Sequence, residues 1–421
     1  MATTNGTLRH IPLSYNNADS QASALRLVLS INPHWEGADN RIEFIRFTDG
    51  ITNTLLKIIN RKPGLTEEQI DAEAVLMRAY GNHTEILIDR ERETRSHTLL
   101  AQYGLAPPLL ARFQNGLLYR FIRGQPTKPA DLVEPAIWKA VARRLGQWHA
   151  TLPVISHASS QAANSSDGEG AVFRPEKTIP VQKGDDITPI RPRQAGPNTW
   201  TVMQKWILAL PAGTEEERLR RHGLQKELER IVAELDDGNG IGEDGLIFAH
   251  CDLLCANVIM IPPTTNGATH SHQDVEEVHF IDYEYATPSP AAFDIANHFA
   301  EWGGYDCDYN MMPTRSIRRE FLTEYVKSFV KHGGKGADSD QQKVVDKLFQ
   351  DVDRFRGIPG FYWGVWSLIQ ATISQIDFDY ASYAEVRLGE YWAWRHEQDG
   401  TRAQNTGEEM PLRERRWAQE A

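Results

Sequence analysis

Two short stretches carry residue types suited to group-transfer chemistry. Phe248-Ala249-His250-Cys251-Asp252-Leu253-Leu254-Cys255-Ala256-Asn257 ends an apolar run on a histidine, then an aspartate, then an asparagine. Phe280-Ile281-Asp282-Tyr283-Glu284-Tyr285-Ala286 ends a second apolar run on an aspartate. Phosphoryl transfer uses this chain order: a loop aspartate that orients the attacking hydroxyl, a nearby amide, and a downstream metal-binding carboxylate. Asp252 is therefore the candidate base. Asn257 and Asp282 offer hard oxygens that suit magnesium. His250 joins Asp252 in the catalytic group, with bracing of the loop by hydrogen bonds as its expected part. A lone aspartate is more often a cap or a turn residue, but the ordered set is not explained that way. Cys251 and Cys255 resemble half a zinc site, yet no second pair accompanies them.

These groups need elements to position them. Ile42–Phe47 and Thr54–Ile59 read as two strands joined by Thr48-Asp49-Gly50-Ile51-Thr52-Asn53. Such a hairpin lays backbone N–H groups over a triphosphate, which makes Gly50, Thr52 and Asn53 candidate ATP contacts. Ala74–Gly81 reads as a third strand with Arg78 inside an apolar run. It is either a snorkelling edge residue or a phosphate clamp. The helix that opens near Ile88 carries Glu93, a candidate partner for Arg78. Asn115-Gly116 between apolar runs predicts another hairpin. Residues 41–122 thus form a small mixed lobe and 123–126 a hinge. Residues 1–40 are read as an extension with a short helix.

From residue 127 the pattern turns helical. Ile137, Val141, Leu145 and Trp148 fall on one stripe. Residues 155–198 and 262–277 are polar, turn-rich insertions; the second, with nearby His279, holds a histidine group that invites a metal reading but fits a plain loop better. Trp363 and Trp366 share a helix face, and Phe378, Tyr380 and Tyr383 follow. Such stripes are usually core, although rings in this number also suit an ammonium cage. Residues 397–421 read as a polar, disordered tail.

The chain has 421 residues, three cysteines and a formal net charge of −12. That charge argues against nucleic acid as a partner. Few cysteines point to a reducing compartment. No apolar run is long enough to span a membrane, so the expectation is a cytoplasmic protein without stable membrane insertion. A homodimer is compatible with the sequence, which does not select it.

With these residues in view, the chain resembles the choline/ethanolamine kinase family from about Phe44 to Tyr391. The resemblance rests on His250–Asn257, on Ile281–Ala286, and on Phe293-Asp294-Ile295-Ala296-Asn297-His298-Phe299 leading to Glu301-Trp302. It implies an α+β, protein-kinase-like bilobal fold, with a small mixed-sheet N-lobe and a larger, mostly helical C-lobe over residues 127–396. It implies ATP and Mg2+ as cofactors and a small amino alcohol as acceptor. By position, Asp252 matches the base, Asn257 and Asp282 the magnesium ligands, Arg78 the phosphate contact and Glu93 its partner. The backbone around Phe121 and Ile122 matches the adenine hinge. Glu301, Trp363, Trp366 and Tyr383 match the ammonium pocket, with Phe378 and Tyr380 beside it. Gly50–Asn53 and Tyr80-Gly81-Asn82-His83-Thr84-Glu85 look like the ethanolamine branch. That branch makes phosphoethanolamine, the first step of phosphatidylethanolamine synthesis. Asp49 departs from the family's usual glycine in the phosphate turn. A choline or dual kinase, another small-molecule phosphotransferase, and an inactive kinase-like binding protein are the alternatives.

Overall fold

The alternation around residues 42–47 and 54–59 does form paired strands in the computed structural model. It describes residues 8–37, 40–47, 53–81, 84–154, 187–262, 277–335, 340–374, 376–405 and 407–421. The strands are β1 His10–Ile11, β2 Arg41–Phe47, β3 Asn53–Arg61, β4 Val75–Tyr80, β5 Leu109–Phe113 and β6 Gly116–Arg120. They form one sheet in the order β1-β5-β6-β4-β3-β2. All pairs are antiparallel except β1 with β5. Gly116 is required where β6 lies against β4, because a Cβ there would stand 2.1 Å from the Arg78 carbonyl oxygen.

The period of β4 sorts its side chains. Val75, Met77 and Ala79 enter the core on one face. Arg78 therefore belongs to the other face, although the strand is central and Arg78 itself is buried. The expected boundary near residue 40 is absent. Ile11, Tyr15, Ala24, Leu27, Val28 and Trp35 share the sheet's core, and the short helix extends over Ser20–Ile31. The sequence reading also missed the helix Glu67–Glu73. Its signal was present: Thr66 and Gln69 form a capping box. Ile70 of that helix packs with Ile59, Ala74 and Phe121.

The chain separates into two compact units at Pro126/Thr127, and the segment His279–Glu284 belongs with the sheet. The larger unit is mostly helical. Its helices include Pro135–Thr151, Thr199–Ala209, Glu215–Leu235, Ala291–Ala300, Arg315–Lys331, Gln341–Phe355, Ile358–Ile373 and Tyr380–Gln398. Ile137, Val141, Leu145 and Trp148 are all fully buried, as their stripe requires. Helix Ile358–Ile373 packs closely on Tyr380–Gln398. A Cβ at Gly360 would come within 2.5 Å of the Arg387 carbonyl oxygen, so a larger residue there would part the two helices that carry the aromatic residues.

The tail corrects the sequence reading. Residues 412–418 are helical, and Arg413, Glu414 and Trp417 are buried. Trp417 Nε1 donates to Asp353 at 2.7 Å, and Arg318 lies 3.9 Å over its ring. The polar composition misled because these charges are paired inside the fold: Arg413 with Glu414 at 3.1 Å, and Glu414 with Arg356 at 2.9 Å. No helix among the described residues is long and apolar enough to cross a membrane.

Candidate active site

The loop after strand Ile247–Ala249 is held by one helix. All ten residues of Ala291–Ala300 are buried, so each polar side chain on it must find a partner. Asp294 accepts the backbone N–H of His250 at 3.0 Å and of Cys251 at 2.7 Å. It also accepts from His149 Nε2 at 2.8 Å, while His149 Nδ1 meets the Tyr325 hydroxyl at 2.7 Å. Burial opposes ionisation of Asp294, but His149 and the loop N–H groups outweigh it and hold the carboxyl below its usual range. Asn297 donates to the Cys251 carbonyl at 3.0 Å. Burial pushes the His298 imidazole down to about 4. The neutral ring donates Nδ1–H to the Leu253 carbonyl at 2.8 Å and accepts from Trp302 Nε1 at 3.1 Å.

The loop thus pinned takes an unusual backbone turn. Cys251 sits at φ 63°, a left-handed conformation that a side chain rarely adopts. The next residue is Asp252, buried and aimed by its neighbours. His250 Nδ1 accepts the Asp252 backbone N–H at 3.3 Å, which is the bracing contact expected from the sequence. Asn257 donates Nδ2–H to the Asp252 carbonyl at 2.8 Å and to its carboxylate at 3.3 Å. With its N–H groups spent on Asp252, the Asn257 amide presents its oxygen as a hard donor. Cys251 and Cys255 are buried packing in this loop. Among the described residues no three His, Cys, Asp or Glu side chains cluster as a metal site. A magnesium ion that keeps substrate phosphates as ligands needs only one or two carboxylates.

The same unit holds the aromatic group. Trp363 and Trp366 rings meet edge to face at 5.5 Å, Trp366 meets Tyr380 at 5.7 Å, and Phe378 meets Tyr380 and Tyr383 at 4.8 and 5.5 Å. Trp363 Nε1 donates to Asn297 at 2.8 Å and Trp366 Nε1 to the Tyr285 hydroxyl at 2.8 Å. The sequence reading missed Tyr305. Its ring lies 6.0 Å from Phe378 and 6.3 Å from Tyr383. Burial first, then the charges of Asp252 and Glu301, make its hydroxyl harder to ionise. Glu301, expected as a carboxylate for the ammonium group, already has a cation: Arg387 donates to it at 2.9 Å. Burial pushes Glu301 above the usual range, Arg387 opposes this, and Glu390 reinforces it.

In the sheet unit, Arg78 is the centre of a buried charge cluster. Its Nη2 donates to Glu284 at 2.5 Å and to Asp282 at 2.8 Å, and Nη1 lies 3.5 Å from Glu93. The expected Arg78–Glu93 pair is present, but the shortest contact goes to Glu284, which the sequence reading left without a role. Arg90 adds a second guanidinium, 3.0 Å from Glu93 and 3.1 Å from Glu284. It is also bonded to Thr84, and it reaches Asn53 at 3.4 Å. Asn53 in turn donates to Glu284 at 3.3 Å, so this candidate ATP contact supports the cluster. Three carboxylates face two guanidiniums. Burial raises Glu93 and Glu284 above the ordinary range against the pull of Arg78, whose own charge the carboxylates secure.

Asp282 is at φ 65° and its side chain is 29% exposed, so one carboxylate edge remains accessible beside the Arg78 bond. Phe121 follows β6, its N–H bonded to the Ala74 carbonyl at 3.2 Å, with Lys57 3.9 Å over its ring. Ile122 comes next and is partly buried. Gly50 and Thr52, with Asp49, lie outside the described residues, as do His270, His272 and most of both polar insertions.

The chain is similar to known proteins over most of its length. The choline/ethanolamine kinase family model matches residues 44–392. The chain belongs to the choline/ethanolamine kinase family. It is 32% identical to ethanolamine kinase 1 of Mus musculus, over 89% of each chain. It is also 32% identical to a probable ethanolamine kinase of Nematostella vectensis, over 91% of this chain and 95% of that one. An ethanolamine kinase structure from Plasmodium vivax aligns with a TM-score of 0.62 over 89% of each chain, at 22% identity. The fold is therefore the kinase-like α+β fold of this family, and the chain is an ATP-using kinase by membership. The family match begins within β2 and ends within helix Tyr380–Gln398, so it takes in both the Arg78 cluster and the Asp252 loop.

Proposed function

We propose that this kinase transfers the γ-phosphoryl group of ATP to the hydroxyl of ethanolamine, supplying phosphoethanolamine for phosphatidylethanolamine synthesis. The observation that carries the reading is the 32% identity to ethanolamine kinase 1 of Mus musculus over 89% of each chain. The order of Asp252, Asn257 and Asp282 supports phosphoryl transfer to an alcohol.

Asp252 is the proposed base. It accepts the ethanolamine hydroxyl proton or directs that hydroxyl's lone pair, and Asn257 and the His250-braced loop keep its carboxylate in one orientation. Asn257 and Asp282 are the proposed magnesium ligands, each through a hard oxygen that its other bonds leave available. Magnesium, when bound, offsets the charge that develops on the phosphates during transfer. Arg78 is the proposed phosphate contact, aligned by Glu284 and Glu93. Asn53, together with Gly50 and Thr52 of the turn, is assigned to the nucleotide, as is the backbone at Phe121 and Ile122. Glu301, Trp363, Trp366, Phe378, Tyr380 and Tyr383 are assigned to the ammonium group.

One observation favours choline instead. Rings dominate the proposed pocket, and the Glu301 carboxylate is already paired with Arg387. A primary ammonium wants three acceptors, whereas a quaternary one wants aromatic faces. Comparing kcat/KM for the two alcohols at equal ATP decides between them. Ethanolamine is expected to be preferred by about tenfold or more, equivalent to about 1.4 kcal/mol. A clear choline preference would overturn the assignment.

A further inference from the structure

Two of the hydrogen bonds described above share one amide. Trp363 Nε1 donates to Asn297 Oδ1 at 2.8 Å, and Asn297 Nδ2 donates to the Cys251 carbonyl at 3.0 Å. Asn297 is fully buried and Trp363 nearly so. An amide is the group that this position needs. Its oxygen accepts from an indole, which only donates, and its NH2 donates to a carbonyl, which only accepts. Rotation of the amide would place two donors together and two acceptors together. The indole therefore fixes which way Asn297 faces.

The carbonyl that Asn297 holds belongs to Cys251, at φ 63°. A residue in this region persists when its surroundings over-determine it. Here the Cys251 N–H is fixed by Asp294 and its C=O by Asn297, one bond on each side of the strained torsions. The peptide whose carbonyl Asn297 grips is the one that joins Cys251 to Asp252.

We propose that Asn297 is a positioning residue that couples Trp363 of the acceptor pocket to the orientation of the Asp252 carboxylate. The proposal rests on Asp252 being the base and on Trp363 lining the pocket, as assigned above. An acceptor that settles against the Trp363 ring fixes the indole, the indole fixes the amide, and the amide holds the peptide that aims Asp252. Asp252 is then best aligned when the alcohol is in place. Trp363 accordingly contributes to turnover as well as to acceptor affinity.

The test uses Trp363→Phe, which keeps the ring and removes the N–H, and Asn297→Asp, which keeps an acceptor for the indole and removes the donor to Cys251. Each is assayed with the amino alcohol that the wild type turns over fastest, so a failure of the ethanolamine assignment leaves this comparison intact. If no amino alcohol is used, Asp252-dependent release of ADP from ATP in water is read instead. Trp363→Phe is expected to lower kcat about threefold to tenfold, and Asn297→Asp about tenfold to a hundredfold, with KM for ATP within about twofold. The double variant is expected to lose no more than Asn297→Asp alone, because the two bonds act in series. Should Asn297→Asp fail to fold, Asn297→Ser, whose hydroxyl on Cβ is too short to span the indole and the Cys251 carbonyl, replaces it with the same expectation. Wild-type kcat in the asparagine variant, or a Trp363→Phe effect confined to KM for the acceptor, would overturn the proposal.

Discussion

The Arg78 cluster and the Asp252 loop anchor solve the same problem in opposite ways. Around Arg78, charge is buried against charge. Two guanidiniums share three carboxylates at 2.5 to 3.5 Å, and no carboxylate belongs to one cation alone except Asp282. Around the loop a single carboxylate, Asp294, gathers two backbone N–H groups and one imidazole, and the rest is done by neutral groups. A shared charge cluster keeps favourable contacts while its members exchange partners, which suits a region proposed to meet highly charged phosphates. A carboxylate satisfied by fixed backbone donors has one good arrangement only. That suits a loop whose task is to hold Asp252 still.

Asp294 carries the largest expected effect. Asp294→Ala removes the shared acceptor of two loop N–H groups and of His149 Nε2 in the interior, and breaking such a buried set costs about 3–5 kcal/mol. Urea unfolding measures it, and a loss below about 1 kcal/mol would mean that the loop does not depend on this one group. Next comes Asp252→Ala. Turnover is expected to fall about 10²-fold or more, or about 2.7 kcal/mol, with ATP binding nearly intact. Near-normal turnover would remove Asp252 as the base.

The two regions respond to pH with opposite signs. Glu93 and Glu284 lie above their ordinary range in the fold. Their contribution is fully present below the unfolded carboxyl value and is lost as pH rises through the folded value. Asp294 lies below its ordinary range, so its contribution is present above the unfolded value and is lost as pH falls through the folded one. Arg90→Gln removes one of two cations and raises Glu93 and Glu284 further. The stability lost as pH rises above the ordinary carboxyl range should then grow, by about 1.4 kcal/mol for each tenfold weakening of these acids. An unchanged profile by thermal melts would show that Arg90 carries none of the cluster's charge balance. Trp363→Ala should raise KM for the amino alcohol several-fold, about 1 kcal/mol, and more than KM for ATP, in addition to the loss of kcat expected from removing its N–H. Equal changes in both would take Trp363 out of the acceptor pocket.

How each region could be read from sequence follows the same division. His250, Asp252 and Asn257 lie within one loop, so their order already carried the chemistry. Glu284 stood in plain view two residues after Asp282 and received no role, because its partners Arg78 and Arg90 are 206 and 194 residues away. Asn297 lies in the family segment Phe293–Phe299, yet nothing in its neighbourhood along the chain announces Cys251 or Trp363. The C-terminal residues misled for a related reason. Composition records that Arg413 and Glu414 are charged, and only the fold reveals that both are buried and paired.

Local order in this chain determined five of the six strands of the sheet, the main helices, the Asp252 loop and the family it belongs to. These depend on periodicity and on spacing over a few residues. Tertiary structure decided which carboxylates share Arg78, that Glu301 is already partnered, that the amide of Asn297 faces two ways, and that the tail is part of the helical unit. Each of those is a pairing of polar groups across long stretches of chain. Burial makes such pairing obligatory, but sequence distance does not say with whom.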